Sequence, residues 1–350
     1  MNRTAYARAG VDLHLGNRMK ATLPKLLASA TRAEVMGKVG GFGGLFDLNR
    51  RRYKRPVLVS SVDGVGTKLK VAFAMDRHDT IGQDLVNHCV NDIAVLGAEP
   101  LFFLDYLGTG KLKPHVFEKI IRGFAIGCAD NKCALVGGET AQMPGFYQPG
   151  EYDVSGTIVG VVEKGKMLDG TTIRPGDQVI GIASNGLHTN GYSLARRVLF
   201  DRMKLKPKSR LPELKGTIGE ELLRVHASYG LLLMQLLRKY NTRGRGGVIK
   251  GLAHLTGGGF VDNIPRVLPR NCNVIIRKGA WPVPAIFEII ARGGKVDDSE
   301  MHQVFNMGIG MACVVSRPKA AAVLRSIRGS GRQAWSIGEV TRGSGRVKLD

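Results

Sequence analysis

Short apolar runs alternate with longer helical patterns along the whole chain, and few folds accommodate such an order. The runs of strand length lie at 56–62, 101–107, 134–136, 154–162, 178–183, 273–276 and 309–315. Apolar residues recur at helical spacing at 81–96, 116–129, 192–199, 220–240, 261–268 and 284–291. Because strands and helices alternate, the sequence predicts an α/β fold with α+β character, that is, with mixed sheets.

The length of the chain and one polar segment predict two domains. A chain of 350 residues is long for a single compact core. The segment 163–177 is polar, rich in turn residues and without apolar periodicity, which is typical of a linker. The predicted domains are therefore 1–165 and 175–350.

Several classes of protein are excluded by composition. No uninterrupted apolar stretch of about 18 residues occurs, and the first residues lack the apolar run of a secretory signal, so a soluble cytoplasmic protein is expected. The five cysteines are odd in number and none is spaced two residues from another, unlike zinc or redox motifs. They are predicted to be reduced, partly buried thiols.

The formal net charge of +22 predicts a positive field that attracts anions. Basic residues cluster at 50–55, at 204–210 and around Arg243 and Arg245. A nucleic-acid patch and a solvated loop both fit such clusters. Binding to nucleic acid is not expected, because aromatic residues are only 6% and no known nucleic-acid module is present.

A glycine-rich segment after the first strand has the residues needed to hold a phosphate and its cation. Gly64 and Gly66 allow backbone N–H groups to approach phosphate oxygens, and Thr67 adds a hydroxyl. Asp63 can hold magnesium, and Lys68 can neutralise phosphate charge. The segment is not a Walker A loop, and by itself it fits a plain strand-to-turn connection equally well.

The helix predicted at 81–96 has an unusual polar face. That face carries Asp84, Asn87, His88, Asn91 and Asp92, without lysine, arginine or glutamate. Such a stripe suits coordination better than an ordinary solvated face does, although a solvated face stays possible. Asp84 and Asp92 are about 12 Å apart on an ideal helix, too far to share one cation. We therefore predict that Asp92 and Asp63 bind magnesium together.

Three further segments place polar residues beside glycines at strand ends. Glu139, after Gly137 and Gly138, is a third candidate magnesium ligand, or else a turn glutamate. His188 and Asn190 lie in a loop between a strand and a helix, a position that binds anions, so they could hold substrate, although a lone loop histidine is more often a surface residue. The turn formed by Thr256, Gly257, Gly258 and Gly259 could bind phosphate through its backbone N–H groups, or could be a flexible hinge.

Taken in order, these segments resemble the aminoimidazole ribonucleotide synthetase family. The motifs are YARAGVD at 6–12, GGFGGLF at 40–46, DGVGTK at 63–68, CVND at 89–92, GAEPLFFLDY at 97–106, GGETAQMPG at 137–145, YDVSG at 152–156, HTNGYSL at 188–194, HLTGGGFVDNIPRVLP at 254–269 and FNMGIGM at 305–311. One of them would be a weak signal, but this many in register are specific.

The resemblance implies a fold, a reaction and roles for residues. It implies two α/β domains, a homodimer in which the N-terminal domains form a shared barrel, and ATP held near that interface. It implies conversion of formylglycinamidine ribonucleotide and ATP to aminoimidazole ribonucleotide, ADP and phosphate. By position, the resemblance implies that magnesium is bound by Asp63, Asp92 and Glu139. ATP would be bound by these three residues together with Gly64, Gly66, Thr67 and Lys68. The implied catalytic residues are Asp92, His188 and Lys68, and the implied substrate-binding residues are Asn190 and Thr256 to Gly259.

The sequence departs from the family pattern in two places. Many members have Pro-Thr-Arg-Ile-Tyr where this chain has Val-His-Ala-Ser-Tyr at 225–229, and Lys250 stands where a histidine is common. The missing arginine leaves one substrate or dimer contact in doubt. Two alternatives stay open: another ATP user of the same fold, such as selenophosphate synthetase, and a basic scaffold or nucleic-acid-binding relative without activity.

Overall fold

The computed structural model describes residues 5–36, 43–48, 52–242 and 246–350. The strands are β1 (Val35–Met36), β2 (Leu45–Phe46), β3 (Pro56–Gly64), β4 (Glu99–Thr109), β5 (Ala134–Gln142), β6 (Tyr152–Glu163), β7 (Gln178–Ala183), β8 (Ile249–His254), β9 (Cys272–Ile276), β10 (Ile309–Val315), β11 (Ala334–Arg342) and β12 (Val347–Leu349). The helices are α1 (Ala5–Arg8), α2 (Leu13–Leu26), α3 (Lys68–Met75), α4 (Ile81–Ala94), α5 (Pro114–Asp130), α6 (Tyr192–Arg196), α7 (Ile218–Leu222), α8 (Gly230–Tyr240), α9 (Gly259–Asn263), α10 (Ala285–Gly294), α11 (Asp298–Val304) and α12 (Ala320–Gly329).

The first half of the chain forms a four-stranded mixed sheet in the order β3-β6-β4-β5. Only β4 and β5 run parallel; the other pairs are antiparallel. Helices α4 and α5 pack together on one face of this sheet, and α2 packs on α5. Leu58 and Val62 of β3 point to the other face, where they are 62% and 65% exposed. Helices thus cover one face of the sheet, and the other face is open at β3 among the described residues of one chain.

Register places four residues in one row across that sheet. Asp63 pairs with Gly156, which also pairs with Asp105, which in turn pairs with Gly138. A Cβ atom at Gly156 would lie 2.1 Å from the Phe103 ring. The glycine in β6 is therefore required for Phe103 to pack over the sheet.

The second half forms a six-stranded mixed sheet in the order β12-β9-β11-β7-β10-β8. β12 runs parallel to β9, and the remaining neighbours are antiparallel. All seven residues of β10 are buried, as a central strand covered on both faces requires. The two mixed sheets with their helices confirm the predicted fold class, and β10 coincides with the predicted strand at 309–315.

Three predicted helices differ from the observed ones. The long helix predicted at 220–240 is broken: α7 ends at Leu222, α8 begins at Gly230, and 224–229 has no regular structure. The helix predicted at 192–199 becomes a π-helix after Arg196, and that predicted at 261–268 is α9 followed by a 3₁₀ turn. The first of these breaks is caused by tertiary hydrogen bonds between side chains of α4 and the backbone of 226–229.

Some predictions concern residues that the structure does not describe. The glycine loop at 40–46 is described only from residue 43 on, and Arg50, Arg51, Arg243 and Arg245 of the basic clusters lie outside the described ranges. Each of the five cysteines is buried and unpaired. Among the described helices, none has the length and apolar character needed to cross a lipid bilayer.

Candidate functional site

The polar face of α4 is buried against the second half of the chain. Its side chains bond to backbone groups of 224–229. At His226, the backbone N–H donates to Asp84 at 2.7 Å, and the carbonyl accepts from Asn87 at 2.8 Å. Asn91 donates to the carbonyl of Ala227 at 2.9 Å and accepts from the N–H of Tyr229 at 2.7 Å. Most of the stripe therefore binds protein backbone rather than an ion. These bonds also satisfy the backbone that a helix would otherwise pair internally, which accounts for the break between α7 and α8.

At the end of this stripe, two carboxylates converge on one histidine. Asp63, at the end of β3, has Oδ2 2.9 Å from Nε2 of His88, and Oδ2 of Asp92 lies 3.7 Å from the same nitrogen. The other oxygen of Asp92 lies 2.8 Å from Nδ1 of His254. Asp63 and Asp92 are 39% and 27% exposed, so the cluster is open to solvent on the carboxylate side. The structure therefore brings together the two aspartates that the sequence analysis grouped as magnesium ligands.

Attraction between the aspartates and the histidines outweighs burial in setting the pKa values of this cluster. Burial favours neutral forms, yet the hydrogen bond and charge of His88 hold the pKa of Asp63 below its ordinary value. The pKa of Asp92 is likewise lowered against burial, mainly by His254 and His88. Burial also works to lower the pKa of His88, but the two aspartates outweigh it and raise that pKa. These directions favour ionised carboxylates at Asp63 and Asp92 around a protonated His88.

Four imidazoles pack behind the carboxylates. His226 is stacked on His188 with ring centroids 4.0 Å apart, and the centroids of His88 and His254 lie 5.2 Å and 5.1 Å from that of His226. Nε2 of His226 lies 3.0 Å from Nε2 of His254. The hydroxyl of Thr189 lies 2.7 Å from Nδ1 of His88 and 3.3 Å from Nδ1 of His226. A continuous chain of polar contacts therefore links Asp63 to Asp92 through three histidines and a threonine.

His188 occupies an unusual position in this cluster. Its backbone is left-handed, with φ of 63°, and its carbonyl accepts hydrogen bonds from Lys68 and Tyr192. The side chain is buried, and neither ring nitrogen has a hydrogen-bond partner among the described residues. Burial lowers the pKa of His188 far below its ordinary value, so the imidazole is neutral. In this conformation the ring does not reach solvent, where the predicted substrate would bind.

Lys68 is not placed to bind phosphate. Its side chain is 0% exposed, and its ammonium lies 2.8 Å from Oδ1 of Asp84, which is also 0% exposed. The same nitrogen donates to the carbonyls of Arg224 at 2.7 Å and His188 at 3.1 Å. An ammonium has three donors, and all are used here. The predicted contact of Lys68 with phosphate is therefore wrong for this conformation; Lys68 instead joins the two halves of the chain.

Glu139 does not join the other two predicted magnesium ligands within one chain. β3 and β5 are separated by β6 and β4, so the row containing Asp63 reaches Gly138 only after about 14 Å. Because successive residues of a strand face opposite sides, Glu139 also points away from the sheet face of Asp63. One ion held by all three carboxylates of a single chain is therefore excluded by strand order and pleat.

A separate cavity of about 730 Å³ lies beside β5, between α2 and the sheet. Gly137, Gly138, Glu139 and Asp105 contribute to its lining. Burial raises the pKa of Asp105 to about 7. Sequence reasoning gave Asp105 no role, because it lies inside an otherwise apolar strand.

The predicted substrate segments lie together in the second half. A Cβ atom at Gly257 would lie 3.3 Å from Oδ1 of Asn190, so the turn at 256–259 approaches that loop closely. Gly259 has φ of 53°, and a Cβ atom there would lie 2.0 Å from the carbonyl of His302, so only glycine fits. Asn263 donates to the carbonyls of Gly257 and Gly259 at 3.1 Å and 2.8 Å and fixes the turn.

Contacts between the halves also occur at the glycine segment after β3. Oγ1 of Thr67 lies 3.1 Å from Oγ of Ser193, at the start of α6. Gly66 has φ of 61°, a conformation that glycine adopts without strain. The segment 63–67 and the loop 188–193 therefore meet at the contact between the two halves of the chain, which we call the seam.

Sequence reasoning missed four residues of this region: Thr189, His226, His254 and Asn263. His226 stood in the segment that departs from the family pattern, and His254 preceded the glycine turn. Their clustering was not predictable, because it depends on how two halves of the chain pack. The one available signal was the number of histidines in polar or glycine-rich segments.

Comparison with known proteins identifies relatives along almost the whole chain. Profiles described as AIR synthase related protein, N-terminal domain and C-terminal domain, match residues 51–162 and 174–350. A protein of Trichlorobacter lovleyi named phosphoribosylformylglycinamidine cyclo-ligase is 52% identical, over 97% of this chain and 95% of the relative. Proteins of the same name from Syntrophotalea carbinolica and Geobacillus thermodenitrificans are 49% and 48% identical, each over 97% of this chain and over 95% and 96% of their own lengths.

Solved structures share the fold at low sequence identity. Thiamine-monophosphate kinase from Stenotrophomonas maltophilia has a TM-score of 0.68 at 17% identity, covering 94% of this chain and 96% of that one. The hydrogenase maturation protein HypE in complex with ATP has a TM-score of 0.66 at 18% identity, covering 95% and 90%. These likenesses concern the fold alone.

Proposed function

The chain belongs to the phosphoribosylformylglycinamidine cyclo-ligase family, and from that membership we propose how it closes an imidazole ring. The reaction is the ATP-dependent conversion of formylglycinamidine ribonucleotide to 5-aminoimidazole ribonucleotide, ADP and phosphate, a step of purine biosynthesis. The observation that carries the proposal is 52% identity over 97% of the chain to a relative of that name. The relatives give no support to an inactive scaffold, a nucleic-acid-binding protein or a selenophosphate synthetase.

The chemistry needs positioning and charge neutralisation rather than a covalent nucleophile. An amide carbonyl is a poor electrophile, so its oxygen takes the γ-phosphoryl group of ATP and becomes a leaving group. The amidine nitrogen of the same molecule then attacks that carbon, the ring closes, and phosphate departs with the former amide oxygen. Because both reacting groups belong to one substrate, holding it in a folded conformation supplies much of the acceleration.

Asp63 and Asp92 are the residues we propose for magnesium. Magnesium prefers carboxylate oxygens and keeps several water molecules, and these two carboxylates are partly exposed and converge within 3.7 Å of one atom, Nε2 of His88. The donor set fits the ion. When bound, magnesium would neutralise phosphate charge beside the glycine segment. Strand order argues against Glu139 as a third ligand of that ion in the same chain.

The remaining assignments follow from proximity to the seam. Gly64, Gly66 and Thr67 are proposed to hold the ATP phosphates through backbone N–H groups and a hydroxyl. Asn190 and the turn at 256–259 are proposed to hold the substrate and its ribose phosphate, which the close approach of Gly257 to Asn190 supports. A catalytic contact of His188 with substrate would require the seam around its buried ring to open.

Assembly, domain division and location are also proposed. A homodimer formed through the open face of the first sheet would cover Leu58 and Val62, which are more than half exposed in one chain. Domains at 1–165 and 175–350 agree with one sheet on each side of the segment 164–177. A cytoplasmic location is expected because ATP and the nucleotide substrate are available there.

The proposal is tested by supplying ATP, magnesium and formylglycinamidine ribonucleotide and measuring formation of aminoimidazole ribonucleotide and ADP. Asp92→Asn is expected to lower turnover by about 100-fold or more, since it removes a charge at the phosphate site. Asp79→Asn, which alters an exposed aspartate paired with Arg77, is the matched control and should keep normal turnover. Absence of both products with the unmodified protein would refute the proposed reaction, whereas normal turnover of Asp92→Asn would refute only the proposed magnesium ligand.

A further inference from the structure

The proposed reaction gives His226 and His254 no role, and it gives His188 none while its ring stays buried. His188, His226 and His254 each offer one nitrogen, and these three atoms lie within 4.8 Å of one another. All three side chains are buried. Neither ring nitrogen of His188 has a hydrogen-bond partner in the described part of the chain, and buried polar atoms are normally satisfied by protein, water or an ion.

The orientation of two of these rings is that of metal ligands with outer-shell support. His254 contacts Asp92 through Nδ1 at 2.8 Å, and His226 contacts Thr189 through Nδ1 at 3.3 Å. Their Nε2 atoms face one another at 3.0 Å. Two nitrogens bound to one tetrahedral zinc at about 2.0–2.1 Å are about 3.3 Å apart, so the observed spacing is close to that of a shared ion. A carboxylate behind the far nitrogen of a histidine is the usual outer shell of a zinc ligand.

We propose that His188, His226 and His254 form a binding site for one divalent transition metal ion, with zinc as the best match. Three imidazole nitrogens would leave a fourth position for water or another small ligand, and imidazole suits zinc and cobalt far better than magnesium. The site is distinct from the carboxylates of Asp63 and Asp92, which offer hard oxygen ligands on the solvent side.

Coordination requires one rearrangement. A metal ion lies in the plane of each imidazole that binds it, whereas the His188 ring is stacked on His226 with only 21° between their planes. His188 must therefore turn out of the stack. None of the residues that the structure describes forms a hydrogen bond with this ring, so rotation breaks only its packing against them.

Such an ion would tie together three separate parts of the second half. His188 belongs to the loop before α6, His226 to the segment between α7 and α8, and His254 to the end of β8. Binding to the folded state alone would raise its stability. Because His226 lies in the segment that differs from the common family pattern, the site would be a property of this chain and of relatives that share that histidine.

Cobalt(II) binding to tag-free protein tests the site directly. We expect one cobalt ion per chain, with the intense visible absorption of a four-coordinate site, displaced by zinc and unaffected by magnesium. His226→Gln should weaken cobalt binding at least about 100-fold, because loss of even an outer-shell partner typically weakens binding 10–100-fold. His115→Gln, which removes an exposed histidine on α5, is the matched control and should bind as the unmodified protein does.

Two further measurements keep the inference falsifiable. X-ray absorption of the zinc-loaded unmodified protein should count three imidazoles around the ion, which does not depend on any variant folding. Asp63→Asn should keep cobalt binding if the ion sits on the histidines. Absence of stoichiometric binding, fewer than three imidazoles, or loss of binding in Asp63→Asn with retention in His226→Gln would each overturn the inference without touching the proposed ligase reaction.

Discussion

Replacing Lys68 by methionine should destabilise the protein far more than any exposed ion pair would suggest. The substitution keeps most of the side-chain volume and removes the ammonium. It leaves the carboxylate of Asp84 buried with the backbone N–H of His226 as its remaining described donor, and deprives the carbonyl of Arg224 of a 2.7 Å hydrogen bond. Removing one partner of a buried ion pair typically costs about 3–5 kcal/mol. We expect Lys68→Met to lower the free energy of unfolding by about that amount.

Lys70 provides a matched control two residues along the chain. Its ammonium lies 2.6 Å from Glu151, but the two side chains are 44% and 30% exposed. Exposed pairs contribute about 0–1 kcal/mol, so Lys70→Met should change stability little. The double variant Lys68→Met with Asp84→Asn should lose less than the sum of the single losses, with a coupling energy of about 2 kcal/mol.

Urea unfolding followed by tryptophan fluorescence and circular dichroism measures these differences. Both tryptophans, Trp281 and Trp335, belong to the second half, so fluorescence reports whether that half loosens together with the secondary structure of the whole chain. At equal urea dependence, the shift in midpoint gives the change in stability. If Lys68→Met costs no more than Lys70→Met, the buried ammonium does not stabilise the seam and the reasoning fails.

Two further substitutions test other parts of the structure. Asn91→Leu removes bonds to Ala227 and Tyr229 and should cost about 2–4 kcal/mol in urea unfolding, since it strands two buried backbone groups; a loss below about 0.5 kcal/mol would contradict the hydrogen-bonding account of the seam. Asp105→Asn should stabilise the protein by a few kcal/mol at pH 8 but not at pH 4. Because the folded pKa of about 7 lies above the unfolded value, ionisation of Asp105 removes stability as pH rises towards 7. If the melting temperatures of the unmodified protein and of Asp105→Asn change in parallel from pH 4 to pH 8, this prediction is wrong.

The sequence was sufficient for elements whose pattern is local. The strand predicted at 309–315 is β10 with the same bounds, because a short run that is apolar except for Gly310, bounded by Gly308 and Ser316, fits a buried strand. The proximity of Asp63 and Asp92 could be anticipated because Asp63 lies at the end of a recognisable strand, Asp92 lies on the polar face of a recognisable helix, and both offer carboxylate oxygens. By contrast, the helix expected across 220–240 is interrupted, since its apolar spacing carries no information on hydrogen bonds supplied by α4.

Lys68 and Glu139 show why the rest of the site could not be read from local pattern. The partners of Lys68 are 16, 120 and 156 residues away in sequence, so nothing nearby marks it as buried. The failure of Glu139 to join Asp63 follows from strand order, which places two strands between β3 and β5. Each motif was chemically suited to phosphate or metal, but only tertiary packing decides which residues meet.

The way α4 holds the segment 224–229 bears on which changes evolution can make there. The side chains of α4 bond mainly to main-chain N–H and carbonyl groups, which every non-proline residue supplies. One side-chain contact accompanies them, since Nδ2 of Asn91 also lies 3.2 Å from Nε2 of His226. The side chains at 225–227 can therefore vary while these main-chain hydrogen bonds are kept. Insertion or deletion of one residue would instead shift every donor and acceptor out of register. The segment is thus free in composition and fixed in length, which allows new side-chain chemistry to arise beside the carboxylates while the two halves stay joined.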